Sequence, residues 1–239
     1  MSCLSGGHLW DVSDREGYQW CALCTSYHSL TPEQPAIYMD DYWSNEKGRS
    51  TIEEQVHNVD VLEVDGKSKN QFVMDHVPDG RGGSALEIAC APGVLLRHLK
   101  GRDYADVEGI EVDSRYVPAI SLAAGGDVKI TVGKFPECTR GDQMGTKDLI
   151  VGLDILEHIE DGRAFLDECY RLLKWRGTLI LMLPLVTSGL PDRFFDPREH
   201  VWIYSQGFMA GLLEDCGFRF VEFHRWTEGH DLVKATALS

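Results

Sequence analysis

Between residues 84 and 184 five short apolar runs alternate with amphipathic stretches, which restricts the chain to strands and crossover helices around a largely parallel sheet. The runs are SALEIA (84–89), DVEGIEV (106–112), DVKITV (127–132), DLIVGL (148–153) and GTLILMLP (177–184). Helices are predicted between them, with GVLLRHLK opening the first and SRYVPAISLA the second. The strongest is DGRAFLDECYRLLKW, where Phe165, Leu166, Cys169, Leu172 and Leu173 share one stripe, Asp161 is the cap and Gly177 follows the end. Beyond the fifth strand, LVTSGLPDRFFDPREHVWIY is too rich in Pro, Gly and aromatics for a regular element and reads as a binding loop or lid. SQGFMAGLLEDCGF then reads as a helix capped by Ser205 and ended by Gly217. FRFVEFHRW and DLVKATAL finish the chain as an antiparallel hairpin about TEGH.

The first 80 residues differ. SCLSGGHLWDVSDREGYQWCALCTSYH is loop-rich with Cys and His, whereas STIEEQVHNVDVLEV and KSKNQFVMDHVP suggest helical lead-in segments. At 239 residues the chain accommodates one full domain and an appendage. The predicted division is an N-terminal segment over 1–45, a helical lead-in over 46–71 and the main domain over 72–239.

Charge and cysteine content narrow the partners. A formal charge of −15 repels a phosphate backbone, so nucleic acid is disfavoured. The N-terminus lacks a basic segment followed by an apolar stretch, and no run reaches the ~18 apolar residues of a membrane span. Seven dispersed cysteines do not suggest a disulfide framework. The expectation is a cytoplasmic protein with reduced thiols and no membrane partner.

The loop after the first strand carries the chemistry. ALEIACAPGVL (85–95) joins an apolar run ending in an acid to small residues at alternate positions and a glycine that opens a helix. Such a turn lets backbone approach a nucleoside closely. A nicotinamide or flavin fingerprint would need a small residue at Val94, which is absent. The pattern Glu87, Ala89, Ala91, Gly93 instead resembles motif I of the class I S-adenosylmethionine-dependent methyltransferases. The resemblance extends over residues 72–239: VEGIEVDSRYV is similar to that family's second strand, ITVGKFPE to the segment after its third, and KDLIVGLDILEHIED to its fourth-strand motif.

The resemblance implies a seven-stranded, mostly parallel Rossmann-like α/β sheet with a C-terminal antiparallel hairpin, plus the small Cys/His-containing N-terminal segment. It also implies S-adenosylmethionine as cofactor, held by Glu87, Ala89, Ala91, Gly93, Glu111, Val132, Gly133, Asp154 and Leu156, with Phe135, Glu157, His158 and Ile159 framing the site. Glu111 takes the ribose hydroxyls, and Asp113 is a competitor for that role. The two alanines stand where the family has glycines. Because alanine in the left-handed region costs roughly 1–2 kcal/mol, both are predicted at negative φ.

Methyl transfer needs a nucleophile aligned with the S–CH3 bond and water excluded. For a hydroxyl acceptor a general base helps, and the candidates are His200 in the loop after the fifth strand and His158 after the fourth. His158 alternatively caps or packs the following helix. Phe194, Phe195, Trp202 and Tyr204 either wall an acceptor pocket or anchor the loop. His224 and His230 read as structural.

Cys21-x2-Cys24 has zinc half-site spacing, and Cys3-x4-His8 could supply the other pair, with His28 as a substitute ligand. The arrangement resembles short zinc ribbons, although its four-residue spacer before His8 is wider; the competing reading is ordinary reduced cysteines. Any zinc here is structural or positions the acceptor, since methyl transfer requires no metal. The reading is an enzyme transferring a methyl group from S-adenosylmethionine to a small-molecule or sugar-like acceptor. The alternative is a catalytically silent cofactor-binding module that docks to a protein partner through its N-terminal segment. A nucleic-acid or protein methyltransferase would need a basic or extended groove, which the charge argues against.

Overall fold

A computed structural model describes residues 3, 7–30, 63–64, 67–186, 192–227 and 229–238. The N-terminal residues supply three short strands, β1 (Trp10–Val12), β2 (Tyr18–Cys21) and β3 (Tyr27–Ser29). A separate two-stranded ladder of β4 (Glu63–Val64) and β5 (Lys67–Ser68) leads into α1 (Lys69–His76), which starts with a capping box between Ser68 and Gln71. The rest of the helical lead-in expected over 46–71 lies outside the described residues. The alternation then runs as read: β6 (Ser84–Ile88), α2 (Val94–Gly101), β7 (Asp106–Glu111), α3 (Val117–Ala124), β8 (Lys129–Val132), β9 (Lys147–Leu153), α4 (Gly162–Leu172) and β10 (Leu173–Val186). The chain closes with β11 (Trp202–Ser205), α5 (Gln206–Asp215) and the hairpin β12 (Phe218–Thr227) and β13 (His230–Ala237).

The expected seven-stranded sheet is present, in the order β8-β7-β6-β9-β10-β13-β12. β8 to β10 run parallel, and β13 enters antiparallel against β10. Both faces are covered, as a parallel sheet requires. In β10, Leu179, Leu181 and Leu183 enter the core shared with α4 and α5, whereas Ile180 and Met182 enter the core shared with α1, α2 and α3. This is the period of two expected of a fully buried strand.

Two expectations change. The helix read over 161–175 ends at Leu172, because Leu173 already pairs with Lys147 in the β9–β10 ladder. The chain then turns at Arg176, with φ 64°, before the ladder resumes at Thr178. The N-terminal segment is not a loop: β1, β2 and β3 form an antiparallel sheet whose β3 pairs with β11, and β11 pairs parallel with the end of β10. The central sheet is thereby extended to eleven strands. Among the described residues no helix is long and apolar enough to cross a membrane.

Candidate active site

Because β6, β7 and β9 are parallel neighbours, in register at Glu87↔Val151 and Ile88↔Ile110, their carboxyl ends emerge side by side. Ligands bind at this edge in open α/β sheets. The β6–α2 loop and the end of β9 enclose a cleft of about 100 Å³ lined by Glu87, Ala89, Ala91, Gly93, Asn70 and Asp154, among others. Val132 and Gly133 stand at the end of β8 and do not line this cleft; the Gly133 amide donates to the Glu111 carbonyl at 3.0 Å. The Leu156 side chain packs into the core instead, so only its backbone can face a ligand.

The loop conformation overturns one expectation. Ala89 has φ 58°, in the left-handed region, while Ala91 is not among the positive-φ residues. The cause is the sharp exit from β6: reversing at Ala89 lets the Cys90 amide reach the Ile110 carbonyl at 3.0 Å, prolonging the β6–β7 ladder by one bond. Asp154 leaves β9 in the same way, with φ 51°. Strained residues gather at functional sites, where the surrounding structure enforces them. Gly93 has φ 93°, and a Cβ there would lie 2.7 Å from the Ile120 carbonyl oxygen; glycine is required by both angle and space.

The acids differ in environment. Glu87 is buried beneath the loop, and among the described residues one of its carboxylate oxygens lacks a hydrogen-bond partner. Burial, with the nearby Glu111, pushes its carboxyl well above the usual carboxylate range. Glu111 accepts from the Ala91 amide at 3.2 Å and the Asp113 amide at 3.1 Å, clasping the loop to the end of β7. Asp113, the competitor, is held by Arg115 at 2.6 Å and caps the following turn, so Glu111 is the acid at the loop.

Asp154 has two partners that the local sequence does not disclose. Lys69 at the start of α1 donates to one carboxylate oxygen, and His230, expected to be structural, lies 2.7 Å from the other through Nε2. Burial holds the Lys69 ammonium down at about 8, with Glu157 opposing the shift. Asn70, next to it, turns a buried and unpartnered amide nitrogen toward the same region. No motif signals these residues. Only their apposition to Asp154 does.

Past His230 the edge continues into the loop before β11. The His230 ring lies 5.7 Å from Phe194, and Phe194 stacks on His200 at 6.4 Å. His158 and His200 face each other with centroids 4.9 Å apart. Each anchors through Nδ1, His158 to the Glu199 carbonyl at 2.5 Å and His200 to the Phe194 carbonyl at 2.6 Å. A carbonyl only accepts, so both Nδ1 atoms carry a proton and, in the neutral rings, Nε2 carries the lone pair. Residues 187–191 of the expected lid lie outside the described residues.

The Cys/His residues also converge. The donor atoms of Cys3, His8, Cys21 and Cys24 all lie within 4.8 Å of one another. Cys3 Sγ is 3.4 Å from Cys21 Sγ, and Cys24 Sγ is 3.6 Å from His8 Nδ1. These separations approach the about 3.5 Å edges of a tetrahedron around an ion bonded at about 2.0–2.3 Å. Burial disfavours the Cys21 thiolate, but the Cys24 and Leu23 amides and His8 outweigh it and bring the thiol down to about 6. His28 is not part of this group. It packs edge-on against Trp202 at 4.4 Å.

Comparison with known proteins agrees with this architecture. A family model described as a methyltransferase domain matches residues 67–222. Ubiquinone biosynthesis O-methyltransferase from Psychrobacter cryohalolentis is 30% identical over 104 residues, covering 42% of this chain and 40% of that protein. Its namesake from Psychrobacter arcticus is 26% identical over 148 residues, covering 58% and 57%. The chain thus spans roughly half the length of these relatives. Among solved structures, the methyltransferase in the Haloferax volcanii complex with the Trm112 methyltransferase activator superposes with a TM-score of 0.67 at 14% identity, covering 86% of this chain and 98% of that one. Haemonchus contortus phosphoethanolamine N-methyltransferase 2, in complex with S-adenosyl-L-methionine, gives a TM-score of 0.66 at 13% identity, covering 86% and 60%. Sheet order, loop and family match lead to one conclusion: the chain belongs to the class I S-adenosylmethionine-dependent methyltransferases.

Proposed function

We propose that the protein transfers the methyl group of S-adenosylmethionine to an oxygen or nitrogen of a small-molecule acceptor by in-line displacement. The observation that carries this reading is the continuity of the sheet edge, from the cleft through Asp154, His230 and Phe194 to the paired imidazoles of His158 and His200. The acceptor end therefore adjoins the cofactor end. Similarity to a ubiquinone biosynthesis O-methyltransferase and a phosphoethanolamine N-methyltransferase supports the same reading.

The cleft, of about 100 Å³, has a lining that suits the amino-acid end of the cofactor. Its two orphaned polar groups, an acceptor on Glu87 and a donor on Asn70, complement the ammonium and carboxylate of an amino-acid moiety. Glu111 would take the ribose hydroxyls, Ala89, Ala91 and Gly93 would let backbone approach the nucleoside, and Val132 and Gly133 would flank the base. When bound, the cofactor supplies a sulfonium methyl that is already electrophilic. The protein's remaining task is to orient the acceptor and take its proton, a role we give to His200 with His158 beside it.

Turnover of labelled cofactor tests the reading. His200→Ala should lower kcat by about 10²-fold or more while the affinity for S-adenosylhomocysteine stays within about threefold. Loss of cofactor binding in that variant would refute the assignment. Cofactor binding by the wild type without turnover on any acceptor would favour the silent module docking through its N-terminal segment. We further propose that Cys3, His8, Cys21 and Cys24 hold a structural zinc ion, supported by the convergence of their donor atoms.

A further inference from the structure

We propose that Glu157, His158 and His200 form a second metal site, binding a divalent transition ion at the acceptor end of the sheet edge. One donor atom from each residue lies within 4.8 Å of the other two. Glu157 Oε1 is 4.0 Å from His158 Nε2, too long for a hydrogen bond and within the widest span that two ligands of one ion can have. This inference rests on the methyltransferase reading for its chemistry, although not for its geometry.

Three features distinguish this cluster from packed core histidines. First, both imidazoles spend Nδ1 on backbone carbonyls, which fixes ring orientation and presents Nε2, as the outer partners of metal-bound histidines do. Second, the rings arrive from different elements, His158 from the turn after β9 and His200 from the loop before β11, yet their centroids are held 4.9 Å apart, with the planes tilted by 52°. Third, Glu157 is 1% exposed and its second carboxylate oxygen has no hydrogen-bond partner among the described residues. A buried carboxylate without a full complement of partners is costly, and a bound cation removes the cost. Lys69, whose charge acts on Glu157, spends its hydrogen bond on Asp154.

The donor set selects the ion. Two imidazoles and one carboxylate suit zinc, iron(II) or their neighbours, and such three-residue sets leave coordination positions open. An open position facing the acceptor would favour a hydroxyl substrate over an amine, because an ion lowers the pKa of a bound hydroxyl. The hydroxyl proton passes to water, the oxygen lone pair forms the new C–O bond, and the S–CH3 bond breaks with its electron pair retained by sulfur. The imidazoles then act on the acceptor through the ion, a more specific role than that of a lone base.

The test uses the full chain dialysed against excess cobalt(II), then freed of unbound metal, with total zinc and cobalt counted per chain. Glu157→Gln and His200→Gln, near-isosteric replacements that remove one ligand each, are measured beside the wild type. Their S-adenosylhomocysteine affinity reports whether they fold. The expected result is one fewer equivalent of metal in each variant, with the lost cobalt absorbing without a thiolate charge-transfer band and cofactor affinity within about threefold of wild type. Equal metal content in wild type and folded variants would overturn the site. Were the methyltransferase reading itself wrong, S-adenosylhomocysteine would not bind the wild type, while the difference in metal content would be unaffected.

Discussion

Replacing Ala89 with glycine should stabilise the protein. Ala89 sits at φ 58°, where an L-residue with a Cβ is strained and glycine is not. An alanine forced into positive φ costs about 1 kcal/mol or more relative to glycine, after allowing for glycine's extra freedom in the unfolded chain. Against this stands the loss of one methyl group packed half-buried at the core edge, worth about 0.4 kcal/mol. The net gain is about 0.5–1 kcal/mol, which for a chain of 239 residues corresponds to a rise in Tm of about 1–4 °C. Ala91→Gly is the internal control. Ala91 lies outside the positive-φ set, so the same chemical change should lower Tm by a similar amount. Differential scanning calorimetry of the three proteins decides the matter, and a fall in Tm for Ala89→Gly equal to that for Ala91→Gly would show that backbone strain at the loop is not what separates the two positions.

Further perturbations address the acids, the helix start and the Cys/His cluster. Glu87→Gln should flatten the dependence of Tm on pH. The wild-type carboxyl titrates above its ordinary range, so its contribution to stability is full in acid and declines as pH rises from about 4.5, while the amide has no proton to lose; parallel wild-type and variant curves over pH 5–9 would contradict the burial-driven shift. Gly93→Ala should destabilise by about 2 kcal/mol or more, combining the angle with the collision at Ile120, and urea unfolding reads it directly. Glu111→Ala removes the acceptor of two loop amides and should weaken S-adenosylhomocysteine binding at least tenfold by calorimetry; unchanged affinity would return the ribose role to Asp113. Chelator treatment should release an ion from Cys3, His8, Cys21 and Cys24 and lower Tm, whereas a metal-free chain with unchanged Tm would leave these as ordinary thiols.

What the sequence discloses follows the range of the interactions. The strand positions from residue 84 onward and the caps at Asp161 and Ser205 rest on period and local chemistry and appear where read, whereas the helix begun at Asp161 stops short at Leu172. Glu87, Gly93 and Glu111 share one loop with its neighbouring strand and are found by spacing. The angle at Ala89 escaped because the sequence favours negative φ for alanine, and only the β6–β7 pairing overrides it. Lys69 and His230 escaped because they meet Asp154 from 85 and 76 residues away in the chain. The N-terminal strands escaped for the same reason: short, exposed segments such as WDV carry no buried period, and their order comes from a partner strand near residue 203.

That last pairing fixes an order of events during synthesis. Ser205 Oγ donates to the Cys24 carbonyl while accepting from the Phe208 amide that it caps, and the Ser205 amide in turn donates to Ser26 Oγ, the two N-terminal contacts being separated by 181 and 179 residues. A chain made from its N-terminus exposes the Cys21–Cys24 knuckle long before the strand that docks it, which lies 179 to 181 residues further on. Cys3, Cys21 and Cys24 are thus made well before the strand that seats them, and in the interval their thiols stand open to oxidants and to whatever metal ions the surrounding medium offers.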